Sequence, residues 1–128
     1  MVDTLIWNAR VATVEGEIPD AMIGIRDGVI AFIGSAEVAK PLTSGARAQS
    51  LRTIDAAGKW VIPGLVDCHT HFGAFLPFED DLITETRAAA AGGVTTVFHV
   101  ILEPSSILTR LPYYLDAVSR CATVDMHF

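Results

Sequence analysis

The sequence predicts an α/β protein in two parts, and three observations carry that reading. Residues 1–62 are dense in short β-branched and apolar runs broken by tight-turn pairs, a sandwich-like pattern. From residue 63, strand-like and helix-like segments alternate as β-α-β-α-β, the order that builds parallel sheets. The 128 residues are 51% hydrophobic and 19% charged, apolar enough for a core and too apolar for a disordered chain.

"TLIWNARVATV" (4–14) reads as the first strand from its β-branched and apolar content. In "AMIGIRDGVIAFIG" (21–34), Asp27-Gly28 sits between two alternating apolar runs, a strong hairpin signal. "KPLTSGARAQS" (40–50) is a polar loop punctuated by Pro and Gly. "TIDAAGKWVI" (53–62) holds two short strands around Ala57-Gly58.

At Leu65 the pattern changes. "LVDCHTHF" (65–72) is a strand ended by Gly73. "DDLITETRAAAAGG" (80–93) is a helix capped by Asp80 or Asp81, with acidic residues at its positive end and Gly92-Gly93 as its stop. "VTTVFHVIL" (94–102) is the next strand. "LPYYLDAVSRCA" (111–122) is a helix with Pro112 in its first turn, and "TVDMHF" (123–128) begins a third strand.

Charge and cysteine usage exclude several functions. The net charge is −6 and the nine Lys and Arg residues form no stripe, which excludes a nucleic-acid surface. No apolar run approaches the roughly 18 residues of a membrane helix, and the first residues lack a signal-peptide pattern. Cys68 and Cys121 form no paired framework. A cytoplasmic protein is the expectation. The apolar excess also implies surface that further chain or a partner covers.

The chemistry concentrates in "VDCHTHFG" (66–73). On a strand Asp67, His69 and His71 share one face while Cys68 and Thr70 take the other. Residues two apart are roughly 6.6–7 Å apart along a strand, a gap two imidazoles can close on one ion. On a helix the same spacing would splay them by about 200°. Metal binding is therefore favoured over an ordinary polar patch, with zinc suited to neutral imidazoles and Asp67 orienting a ligand from behind. Phe75, Leu76 and Phe78 in the following loop have two readings. They form either a hydrophobic wall against a substrate or a small cluster beneath the loop. His99 and His127 fall near the ends of the next two strands and read as structural or substrate-lining.

"AAGKWVIPGLVDCHTHFG" followed by "TETRAAAAGGVTTV" resembles the start of the amidohydrolase superfamily, most closely its cyclic-amide branch of hydantoinases, dihydropyrimidinases, dihydroorotases and allantoinases. "DGVIAFIG" and "IDAAGK" resemble that family's N-terminal β-sandwich strands. The resemblance implies part of a β-sandwich over 1–62 and the first β-α-β-α-β portion of a metal-dependent (β/α)8 TIM barrel over 63–128. It implies that His69 and His71 bind the more buried of two Zn²⁺ ions. A carboxylated lysine, two more histidines and an aspartate base would come from later strands. Lys40 and Lys59 both precede the histidine pair, so neither can be that lysine. The implied parent hydrolyses C–N bonds of small cyclic amides through metal-activated hydroxide, and is a homo-oligomer. The 128-residue chain, as an N-terminal fragment, would be inactive alone. Gly73 stands where dihydroorotases carry an arginine, which favours hydantoinase- or dihydropyrimidinase-like chemistry. A non-catalytic homologue of the same fold and a deaminase or deacetylase branch remain the alternatives. By the same resemblance, Phe75, Leu76 and Phe78 would select the substrate's ring substituent.

Overall fold

The computed structural model describes residues 2–35, 37, 39, 52–102 and 106–128. The predicted polar loop at 40–50 lies outside them. The chain divides into two compact units, Met1–Pro63 and Gly64–Phe128.

The first unit is a single five-stranded sheet. Strands β1 (Thr4–Thr13), β2 (Gly16–Arg26) and β3 (Val29–Gly34) form an antiparallel meander. Asp27 and Gly28 make the tight turn between β2 and β3, with φ of 51° and 77°, the doubly positive pair that such two-residue turns need. Strands β4 (Arg52–Asp55) and β5 (Trp60–Val61) flank Ala57-Gly58 as predicted, but they do not pair with each other. Both run parallel to β1, one after the other. The segment between them turns, with Ala57 and Gly58 at φ of 52° and 73°, and the Gly58 amide donates to the Asn8 carbonyl at 2.8 Å. The Asp55 carboxylate accepts from the Ala57 amide at 2.7 Å and from the Asn8 side chain at 3.0 Å, which holds the turn against β1. The alternating apolar residues of the meander bury Ala9, Val11, Ala21 and Ile23.

The second unit is a three-stranded parallel sheet in the order β6 (Leu65–Thr70), β7 (Val94–His99), β8 (Asp125–His127). Helices α1 (Phe78–Ala91) and α2 (Ile107–Cys121) make the two crossovers. Phe78, Leu82 and Thr86, four residues apart, share one face of α1 and are buried. Phe72, Phe78, Leu82, Val97, Tyr114 and Ala117 form the core.

Several boundaries differ from the expectation, one of them the end of β7, at His99 and not Leu102. Helix α1 starts at Phe78 after an N-cap at Pro77, and no side chain caps it; Asp80 and Asp81 lie inside its first turn. The reason is burial: Phe78 packs into the core, so the helix begins where that ring must be placed. Asp81 is used elsewhere, accepting from the Gly73 amide at 2.7 Å. Helix α2 starts at Ile107, which puts Pro112 inside the helix beyond its first turn. Strand β6 ends at Thr70, so His71 and Phe72 lie just past it. Gly92-Gly93 does stop α1, with Gly93 at φ of 87°.

Candidate metal centre

The tip of β6 is tied to the tip of β7 by a series of hydrogen bonds. The Val100 amide donates to the Thr70 carbonyl at 2.8 Å. The Thr70 hydroxyl donates to the Phe98 carbonyl at 2.9 Å. His71 Nδ1 lies 2.8 Å from the Val100 carbonyl, and the Phe72 amide donates to His99 Nδ1 at 3.2 Å. Gly73 then turns the chain with φ of 77°, and a Cβ there would lie 3.3 Å from the Cα and Cβ of Phe78. The backbone of residues 70–73 is thus held from both sides.

These ties bring the two imidazoles together. Pairing of β6 with β7 shifts register between Asp67 and Thr70. His69 and His71 meet edge to face with ring centroids 4.9 Å apart and an interplanar angle of 82°. Their Nε2 atoms are 3.1 Å apart. A carbonyl can only accept, so His71 carries its proton on Nδ1, toward Val100, and keeps a lone pair on Nε2. His69 Nε2–H is then the donor between the rings.

Two nitrogens bound at 2.0–2.1 Å in tetrahedral geometry would be about 3.3 Å apart. The observed 3.1 Å fits two ligands of one zinc ion, which would take the place of the proton that His69 Nε2 carries between the rings. Both rings are exposed, so an ion can reach them. Among the described residues, no group of three or more His, Cys, Asp or Glu side chains is placed to hold a metal ion. The donor set therefore fits half of a tetrahedral shell.

Asp67 turns toward the backbone: its Oδ1 accepts from the His69 amide at 3.1 Å. It braces the main chain that carries His69 and makes no contact with an imidazole ring among the described hydrogen bonds.

The aromatic loop splits in three. Phe78 is 8% exposed, stacks edge-on to Tyr114 at 4.7 Å and belongs to the core, and it also lines the cavity that Leu76 borders. Leu76 is half-exposed and lines a cavity of about 280 Å³. Phe75 is 98% exposed and does not line it. His71, His99, Arg110, Tyr113 and Tyr114 line the same cavity.

Arg110 and the two tyrosines went unnoticed in the sequence. Their i, i+3, i+4 spacing on one helix face was the available signal. The Arg110 guanidinium lies 5.5 Å and 5.7 Å from the Tyr113 and Tyr114 ring centres. His99 is buried, and desolvation holds its imidazole below the ordinary histidine value. The Thr70 carbonyl opposes that shift, and the neighbouring His71 adds to it.

No family model matches the chain. Curated relatives do. A D-hydantoinase of Ralstonia pickettii is 40% identical over 99 residues, spanning 75% of this chain and 19% of that protein. A dihydroorotase of Trichlorobacter lovleyi is 41% identical over 98 residues, spanning 75% of this chain and 21% of that protein. The chain belongs to the amidohydrolase superfamily. An imidazolonepropionase of Bradyrhizobium diazoefficiens is also 38% identical over 105 residues, 71% of this chain and 25% of that protein. The chain spans about a fifth to a quarter of the length of these amidohydrolase relatives. Two solved structures share its fold. Molinate hydrolase matches with a TM-score of 0.64 at 20% identity, over 98% of this chain and 29% of its own. A Xaa-Pro dipeptidase matches with a TM-score of 0.57 at 22% identity, over 96% of this chain and 32% of its own.

Gly73 now has a structural reason. Its positive φ and the 3.3 Å approach to Phe78 leave no comfortable place for an arginine stem. Identity over the matched three quarters of the chain does not separate the hydantoinase and dihydroorotase relatives, at 40% and 41%.

Proposed function

We propose that the protein to which this chain contributes is a metal-dependent hydrolase of C–N bonds in small cyclic amides, hydantoinase- or dihydropyrimidinase-like. The observation that carries this is the pair of Nε2 atoms, 3.1 Å apart at the C-terminal tip of the first parallel strand. Parallel α/β sheets build their sites at that end of the strands. Residues 1–62 are then part of a β-sandwich, and 63–128 open a (β/α)8 barrel.

His69 and His71 would hold the ion. A zinc ion bound there supplies a coordinated water of lowered pKa and a Lewis acid for the amide carbonyl. The chain's own residues do the rest of what is visible. The Val100 carbonyl fixes which nitrogen of His71 carries the proton, so the other is always presented as a lone pair. Asp67 holds the His69 backbone. Leu76, Tyr113 and Tyr114 line the adjoining cavity, where they would pack against a bound ring. The remaining ligands and the base would come from residues beyond this chain.

The full-length protein tests the reading. His69→Ala and His71→Ala should each lower zinc content and nearly abolish ring opening of hydantoin or dihydrouracil. Zinc content unchanged in both variants would remove the site. A second reading, hydrolysis of an imidazolone ring, is favoured by the imidazolonepropionase match at 38% identity. Turnover of imidazolone propionate in preference to hydantoin and dihydrouracil would select it.

A further inference from the structure

One buried polar group in the cavity beside His71 remains to be explained. His99 ends β7 and is 4% exposed. Phe72, Phe78, Phe128 and Tyr114 surround it, at ring-centroid distances of 5.5, 5.5, 5.8 and 6.2 Å. Its Nδ1 takes the Phe72 amide at 3.2 Å. The Thr70 carbonyl, at 3.4 Å, is the longer contact, and the Phe72 N–H can only donate, so Nδ1 is the acceptor. A neutral imidazole that accepts at Nδ1 carries its proton on Nε2.

Among the described residues nothing accepts that proton, since every hydrogen bond of His99 runs through Nδ1. No buried side-chain nitrogen or oxygen among them is sealed off without a partner, so Nε2 must meet open space. The open space that His99 lines is the cavity of about 280 Å³ shared with His71.

We propose that His99 is a substrate-binding residue, its Nε2–H donating to a ring carbonyl oxygen of a neutral cyclic amide seated in that cavity. The proposal rests on the hydrolase reading above and adds the residue that recognises the ring. Four aromatic neighbours make a poor home for an imidazolium, so the partner that suits this donor is an uncharged oxygen. At about 280 Å³ the cavity lies just below the roughly 300–1,000 Å³ of drug-sized ligand pockets, which limits it to a small ring. A carbonyl held at His99 would present the ring edge toward His71, on the same cavity wall system. Satisfying a buried donor also discriminates, because a ring without that oxygen would leave the N–H unpaired among the aromatic rings around His99.

The test uses the full-length protein and two isosteric variants. In His99→Asn the amide oxygen can replace Nδ1 and keep the Phe72 bond, but no donor reaches the Nε2 position. In His99→Gln the side-chain amide nitrogen reaches that position. Calorimetric binding of hydantoin to chelator-treated protein should weaken by about tenfold in His99→Asn, the loss of one hydrogen bond to a buried donor. His99→Gln should recover most of it, and KM should move with binding while zinc content stays constant.

Wild-type affinity in His99→Asn overturns the proposal. In the wild-type protein, nitrogen NMR of labelled histidine should show hydantoin shifting the Nε2 signal of one neutral imidazole. An unmoved spectrum at saturating hydantoin overturns it without any variant having to fold. The two readings fail separately. Hydantoin bound through His99 but never opened with zinc refutes the hydrolase reading alone. Ring opening with KM unchanged in His99→Asn refutes the role of His99 alone.

Discussion

Gly73→Ala isolates how the loop after the histidine pair is held. At φ of 77° an alanine costs about 1–2 kcal/mol in the left-handed region. The new Cβ would also lie 3.3 Å from Phe78 Cα, Cβ and Cδ2, and Phe78 is a core residue at the start of α1. Relieving that crowding means shifting helix backbone, and overpacking of this kind costs roughly 1–3 kcal/mol. The sum is about 2–5 kcal/mol.

Gly93→Ala is the control. Its φ of 87° carries the same conformational cost, but nothing lies within 4 Å of its would-be Cβ. Urea unfolding of the full-length protein, followed by circular dichroism, should therefore place Gly73→Ala below Gly93→Ala by at least about 1 kcal/mol. Because Gly73 is two residues from His71, only the first variant should also loosen zinc binding. Equal midpoints for the two variants would refute the claim that contact with Phe78 sets the path of the loop.

Four further outcomes are expected. Leu82 is fully buried, so Leu82→Ala should cost about 2–5 kcal/mol in urea unfolding while leaving zinc stoichiometry unchanged. Phe75→Ala, at a 98% exposed position, should change stability by no more than about 0.5 kcal/mol. Leu76→Ala should alter the kcat/KM ranking of ring substituents more than Phe75→Ala does, and the reverse order would assign the substrate wall to Phe75. The folded-state value of His99 is depressed, so its contribution to stability is complete above the ordinary histidine value of 6.5. That contribution is lost as pH falls from there through the lower folded value. The urea midpoint should drop over this range, and His99→Asn should flatten the drop; an identical slope in the variant would show another group responsible.

Local sequence determined those features whose cause is local. Asp27-Gly28 makes a turn because both residues must take positive φ, a demand written in their identities. Gly93, at φ of 87° just past α1, ends the helix for the same kind of reason. The alternation of β-branched runs with helical segments determined the parallel β6-β7-β8 order, since crossovers of that length permit little else. The spacing of His69 and His71 was equally legible as two imidazoles able to meet, and their Nε2 atoms lie 3.1 Å apart. Only the tertiary structure decided where elements begin and what they touch. Helix α1 starts at Phe78 because that ring is drawn into the core, which overrides Asp80 and Asp81 as caps. Strands β4 and β5 lie parallel along β1 because pairing depends on which edge is open, something neither short segment encodes. The 3.1 Å meeting of the imidazoles needs the Val100 carbonyl, and the donor of His99 needs the Phe72 amide. These partners are 27 to 29 residues apart in sequence, so packing of β7 against β6, not local propensity, gives each ring its proton and its direction.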